Sequence, residues 1–312
     1  MKNKFTLIVI AFSFLLLIDL DSKESAVTYV LNGGRFGDNI SSYSRAKWIS
    51  YKYKIPLLYQ PIHHSKELQV HRLEKHYRNS HLKLFTAVQE IPEEGDYEID
   101  PEAGILYEVA WKSNVAIDWE DREFLKIIRN SLALKKPLNP LNIPSDMISI
   151  AMHLRSPGWY PIDNETLIHI FPLRWVTTEF YIEQLKRIMS LYPDKQFFVH
   201  IFTDHHHPEI LVSEIDEQIN DERVHYDFRT EGNRHNLNVV QDFWHMTQYN
   251  CLIRAESQFS KHAEVLGEYD IVIWPTESVP EEDNNRATEV MMKRRVEAGW
   301  EYSTHPAEFI PD

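Results

Sequence analysis

Ile148-Ser149-Ile150-Ala151-Met152-His153-Leu154-Arg155-Ser156-Pro157-Gly158 is the stretch on which the reading of this chain turns. A short apolar run suited to a buried strand ends in a histidine and an arginine, and two loop-formers follow, so a fixed cation is carried to the carboxyl edge of a strand. Open α/β sheets bind their ligands at that edge. A guanidinium is always charged and its planar fork matches phosphate oxygens, which makes an anion such as a nucleotide diphosphate one reading of Arg155. Pairing with a nearby carboxylate at the loop start is the other, and these residues alone leave both open.

Outward from this stretch, 312 residues are enough for two ordinary cores, and a 43% hydrophobic, 12% aromatic composition is that of a folded chain. Nine glycines and 16 prolines leave no room for a dominant low-complexity region. Thirty-three basic against 47 acidic side chains give a net charge of -14, which repels a phosphate backbone and disfavours a nucleic-acid partner. Cys251 is the single cysteine, which excludes an intramolecular disulfide and a thiolate metal site.

At the amino end, Met1-Lys2-Asn3-Lys4 is basic and Phe5 to Ile18 is apolar except for Thr6 and Ser13, with Asp19, Asp21, Lys23 and Glu24 closing the run. Fourteen residues fall short of a comfortable membrane span, so residues 1–26 read as a signal peptide or short anchor. Membrane contact is then expected only through residues 5–18, if they are not removed, and the body is expected in a secretory-pathway lumen or the cell envelope.

Ala26 to Leu31 supplies a first strand, and Asn32-Gly33-Gly34-Arg35-Phe36-Gly37-Asp38-Asn39-Ile40 makes a glycine turn into a helix, where the backbone can approach an anion closely. The turn has neither the dinucleotide fingerprint nor the Lys-Ser/Thr ending of a P-loop. A second strand is expected at Lys54–Tyr59, a surface helix over 63–81, an acidic loop over 88–105 and a helix over 119–134. The proline-rich segment 136–144 marks a domain boundary. Beyond Arg155, helices are expected from Thr178 to about Leu191, at 208–219, at 238–249 and at 259–266. Strands are expected at 196–202, ending in Thr203-Asp204, at 251–253, and at 270–274 as the last of the chain. Alternation of this kind in both halves implies two Rossmann-like domains facing a central cleft, residues 27–144 and 145–312.

Gly34-Arg35-Phe36-Gly37, His153-Leu154-Arg155, Thr203-Asp204 and Ser257-Gln258-Phe259-Ser260 are arranged like the donor-site motifs of the fucosyltransferase superfamily. The first two resemble the Gly-Arg-Phe-Gly-Asn-Gln and His-Leu-Arg of protein O-fucosyltransferases. The segment from Asp242 to Ala263 is similar to a conserved block of the α-1,2-fucosyltransferases. The resemblance spans residues 30 to 275 in motif order. It implies a GT-B fold, GDP-fucose as donor substrate, transfer with inversion to a glycan or protein hydroxyl, and neither metal nor cofactor.

Carried over residue by residue, Arg155 would hold the donor diphosphate and stabilise the departing GDP, the task of a fixed cation in a metal-free site. His153 and Asp204 would shape the nucleotide pocket, and Ser257, Gln258, Phe259 and Ser260 would offer donors to phosphate at a helix start. Gly34, Arg35, Phe36, Gly37 and Asn39 would line the cleft from the amino-terminal, acceptor side. Asp38 and Asn39 replace the family's asparagine and glutamine, and Asp38 is either the base that deprotonates the acceptor or a helix cap. Ser156-Pro157-Gly158-Trp159-Tyr160 departs from relatives that carry a second arginine and an aspartate there. A non-catalytic nucleotide- or glycan-binding relative, or a transferase for another nucleotide sugar, are therefore the alternatives.

Other motifs carry less. His63-His64 and His205-His206-His207 lack the spacing of metal ligands, and Asp118-Trp119-Glu120-Asp121 reads as helix-cap chemistry. Trp159, Tyr160, Trp175 and Trp244 are candidates for sugar stacking or for the core. Asn39-Ile40-Ser41 and Asn164-Glu165-Thr166 are sequons, and a glycan on Asn39 would block the proposed site unless the fold shields that side chain.

Overall fold

A computed structural model describes residues 24–31, 33–110, 112–156, 164–232, 237–280, 285–297 and 299–304. Nearly all of the expected signal segment and the aromatic pair Trp159-Tyr160 lie outside the described residues, and so does the side chain of Asn164. Among the described residues no helix is long and apolar enough to cross a membrane.

The amino-terminal half runs β1 (Ala26–Tyr29), α1 (Phe36–Tyr53), β2 (Leu58–Tyr59), α2 (Val70–Leu73), β3 (Lys75–His76), β4 (Ala87–Glu90), β5 (Ile105–Val109) and α3 (Arg122–Leu132). All its strand pairs are parallel: β1 and β4 flank β5, β2 pairs with β3, and a bridge between Val27 and Leu57 joins the two sets. Glycine-turn residues 33–35 therefore leave the carboxyl end of β1 and enter α1 directly.

The other half runs β6 (Ile148–Leu154), α4 (Asn164–Ile170), α5 (Thr178–Leu191), β7 (Phe197–Thr203), α6 (Pro208–Ile219), β8 (Val224–Phe228), α7 (Val239–Met246), β9 (Cys251–Arg254), α8 (Gln258–Leu266), β10 (Ile271–Pro280), β11 (Asn285–Val296) and β12 (Gly299–Ser303). Its seven described strands lie in the order β12-β11-β10-β9-β6-β7-β8, parallel from β10 to β8. The strand order reverses between β6 and β9, the switch point at which doubly wound sheets leave a crevice for ligand. The β6 strand is apolar on both faces because helices cover both: Ile150 and Met152 pack with Leu185 and Ile188 of α5, and Ala151 joins a core with Phe243 of α7. Cys251, in β9 at the middle of the sheet, is fully buried.

One apolar core connects the two sheets. It runs from Val27, Ile40 and Tyr107 to Val240, Phe243, Leu252 and Val272 without interruption. Helix α1 is buried on nearly all sides, and small Ser41, Ser42, Ser44 and Ala46 let neighbouring elements approach it. At Gly37 that approach is closest, since a Cβ there would stand 2.4 Å from the backbone nitrogen of Phe259 in α8.

Three expectations are corrected. Residues 63–81 do not form one helix but a 3-10 turn at Ser65–Glu67, the single turn α2 and the strand β3. Backbone bonds from Gln69 N to Ala133 O and from Lys135 N to Glu67 O tie this segment to the chain after α3, and such ties preclude a free surface helix. The acidic stretch 88–105 is not all loop, because β4 extends to Glu90 and pairs in parallel with β5. Nor is 270–274 the last strand: β10 continues to Pro280 and folds back antiparallel into β11 and β12.

Candidate active site

The three motif turns meet. Arg35, Phe36, Gly37 and Asp38 from the start of α1, His153 and Arg155 from the end of β6, Thr203 and Asp204 from the end of β7, and Ser257, Gln258 and Phe259 from the start of α8 line one cavity of about 710 Å³, counting the solvent at its mouth. Phe202, Leu237, Val239, Asp242 and Arg174 complete it.

Asp204 organises the cations. Its carboxylate lies 3.0 Å from Nη1 of Arg155 and 3.6 Å from Nη1 of Arg35, and its other oxygen accepts a 2.7 Å hydrogen bond from the Ser156 amide. The arginine thus has the carboxylate partner of the second reading, and it still faces the cavity. Two guanidiniums share one carboxylate, so the trio carries a net positive charge. A second pair at the rim, Arg229 with Asp242 (Nη1 to Oδ2, 2.9 Å), is neutral.

His153 is 4% exposed, and burial first, then the charges of Arg155 and Arg254, hold its pKa well below the ordinary histidine range. The imidazole is neutral. Its ring lies against Phe259 at 5.4 Å between centroids, and its Nδ1 has no hydrogen-bond partner among the described residues. Tyr181 from α5 donates to the His153 carbonyl at 3.0 Å and pins the end of the strand.

Phe36 belongs to a ring cluster with Phe243 (5.5 Å, nearly perpendicular) and Phe259 (6.4 Å), which locks the glycine turn to α7 and α8. Ser257 stands at the cap position of α8, yet its hydroxyl makes no capping bond, so no side-chain oxygen of Ser257 competes for the first amides of that helix. Ser260 does not line the cavity: it is fully buried, and its hydroxyl donates at 3.4 Å toward the carbonyls of Ala255 and Ser257.

Asp38 accepts from the Arg35 amide at 3.1 Å and so acts as a cap on α1. It also lines a second cavity, of about 630 Å³, with Gly33, Gly34, Asn39, Ser42, Phe171 and Arg174. Gly34 is required there, because a Cβ would sit 2.6 Å from Cβ of Asp38. Asn39 is 3% exposed, gives its amide to the Gly34 carbonyl at 2.9 Å and accepts from the His63 amide at 3.3 Å. The fold therefore shields this sequon.

Trp175 is fully buried, and Trp244 packs on the core and donates to the Leu132 carbonyl. Asp121 caps α3 through the Phe124 amide at 2.9 Å. Among the described residues no three His, Cys, Asp or Glu side chains are grouped to hold a metal ion. Sequence reading missed Arg174 and Phe171, whose only trace was a basic residue between apolar neighbours in Phe171-Pro172-Leu173-Arg174-Trp175, and it missed the pairing of Arg229 with Asp242, although Asp242 opens the conserved-block segment.

Three solved structures similar to the chain are fucosyltransferases. The fucosyltransferase NodZ from Bradyrhizobium aligns at a TM-score of 0.45 and 13% identity, over 88% of this chain and 99% of that one. NodZ α-1,6-fucosyltransferase soaked with GDP-fucose aligns at 0.42 and 14%, over 84% and 99%. A mutant of Arabidopsis thaliana FUT1 in complex with GDP aligns at 0.49 and 11%, over 85% and 73%. No protein-family model and no curated protein matches the sequence.

Proposed function

We propose that the chain is an inverting glycosyltransferase of GT-B type that moves fucose from GDP-fucose to a hydroxyl of a glycan or protein. The observation that carries this reading is the convergence of Arg35 and Arg155 with the start of α8 on one cavity at the switch point of a parallel sheet. Such a site suits two linked phosphates: fixed guanidiniums supply charge and the helix start supplies amide donors. In the reaction the acceptor oxygen forms a bond to the sugar carbon as the bond from that carbon to the diphosphate breaks. Negative charge collects on the leaving GDP, where Arg155 stabilises it. Asp38 takes the acceptor proton, held in place by the Arg35 amide.

The ion pair of Arg155 with Asp204 favours one rival, a relative that binds the nucleotide without transfer. One experiment separates them. GDP and GDP-fucose are expected to raise the melting temperature more than UDP-sugars do, and GDP is released from GDP-fucose over an acceptor panel. Asp38→Asn is expected to keep the thermal shift and lose turnover. Absence of a shift at saturating GDP removes the donor assignment, and a shift without release by the wild type leaves the binding protein.

A further inference from the structure

We propose that the second cavity is a saccharide subsite that selects a glycan bearing a carboxylate or sulfate, with Arg174 as its recognition group. The proposal rests on the transferase reading only for the cavity's role as acceptor site.

Cation partners separate Arg174 from the other arginines of the region. Arg35 and Arg155 share Asp204, and Arg229 holds Asp242. Among the described residues Arg174 forms no ion pair. Its guanidinium lies instead over the Phe171 ring, 4.3 Å from the centroid, a stack that holds the fork in one orientation without neutralising it. The Arg174 amide donates to the Phe171 carbonyl at 3.0 Å, so the pair sits on one turn.

Position adds the second argument. Among the described residues Arg174 and Asp38 line both cavities, and they form the partition between them. Beside the Phe171 ring and the Asp38 carboxylate, the other described residues of the second cavity are small or polar: Gly33, Gly34, Asn39 and Ser42. Glycines admit a ligand to the backbone, and amide and hydroxyl groups suit sugar hydroxyls. An anionic group on the ligand would give Arg174 the bidentate partner that no described residue supplies. With -14 on the whole chain, a long polyanion is repelled, so a short acidic glycan fits better.

The test uses the whole protein on a glycan array carrying neutral, carboxylated and sulfated oligosaccharides, with and without GDP. Retained glycans are expected to be acidic, with binding weakened by added salt. Arg174→Gln is expected to lose at least tenfold in affinity for them and Arg174→Lys to recover part of it, while each variant melts, without ligand, at the wild-type temperature. Retention of neutral glycans alone, no retention, or equal retention by Arg174→Gln overturns the proposal. A loss of GDP affinity larger than the loss of glycan affinity in Arg174→Gln overturns it too, by assigning the arginine to the first cavity. Failure of GDP to stabilise the wild type counts against the donor reading instead, and retention of acidic glycans without GDP still supports the subsite.

Discussion

Arg155 and Asp204 lie 3.0 Å apart at the ends of neighbouring parallel strands, and the same carboxylate oxygen is 3.6 Å from Arg35. Before ligand arrives, this carboxylate holds two cations side by side that would otherwise repel. On the proposed function, a diphosphate entering the cavity would meet guanidiniums already in place, which lowers the cost of ordering them.

Arg155→Ala should therefore lower turnover roughly a hundredfold or more with the chain still folded, the usual loss when a charge-stabilising donor is removed. Asp204→Asn should behave in the opposite sense on binding. The unliganded protein melts lower, because two guanidiniums lose their counter-charge, but the shift induced by GDP grows as the ligand replaces it. Thermal melts with and without GDP check both, and a shift unchanged in Asp204→Asn shows that the carboxylate and the ligand do not share the arginines.

Gly37→Ala should damage the fold and the site together. The new methyl meets the backbone of α8 at 2.4 Å, where no side chain can rotate away. Overpacking of this kind costs about 1–3 kcal/mol. Because α1 must move off the start of α8, the response to GDP falls as well, and a melt that retains both stability and response contradicts the close packing.

Stability should fall as the pH drops below neutrality. His262 is 5% exposed, donates from Nδ1 to the Gln258 carbonyl at 2.7 Å, and is pushed down to about 4, first by burial and then by Arg45 and Lys261. Its unfolded pKa is near 6.5, so the unfolded chain binds the extra proton first, and stability present above pH 6.5 is lost progressively toward pH 4. The gap amounts to roughly 3 kcal/mol. His153 and His245, also lowered chiefly by burial, add in the same direction. Urea midpoints from pH 7.5 to 5 should decline, and His262→Gln should flatten the decline.

Much of this was legible in the sequence where local and tertiary signals agree. Phe180, Ile182, Leu185 and Ile188 all point into the core, so α5 lies where its periodicity puts it. The glycine, arginine and serine turns could be placed because each follows a strand with an unmistakable apolar run. Residues 63–81 could not, since Leu68 and Val70 are fully buried while Leu73 of the same apparent stripe is 54% exposed, and backbone pairing rather than side-chain pattern shapes the segment. The hairpin of β10 and β11 escaped because register shifts near Glu277 interrupt the alternation. Arg174 was invisible for a different reason: only the return of the chain through α4 brings it to the partition, 19 positions after Arg155.

Cys251 turns the centre of the larger sheet into its own reporter. The thiol is sealed inside β9, beside the strand that delivers Arg155, and burial raises its pKa far beyond the reactive range. Alkylating reagents can reach it only when that sheet comes apart, so the labelling rate of this one thiol measures how often the scaffold behind the cavity opens, with no engineered probe required.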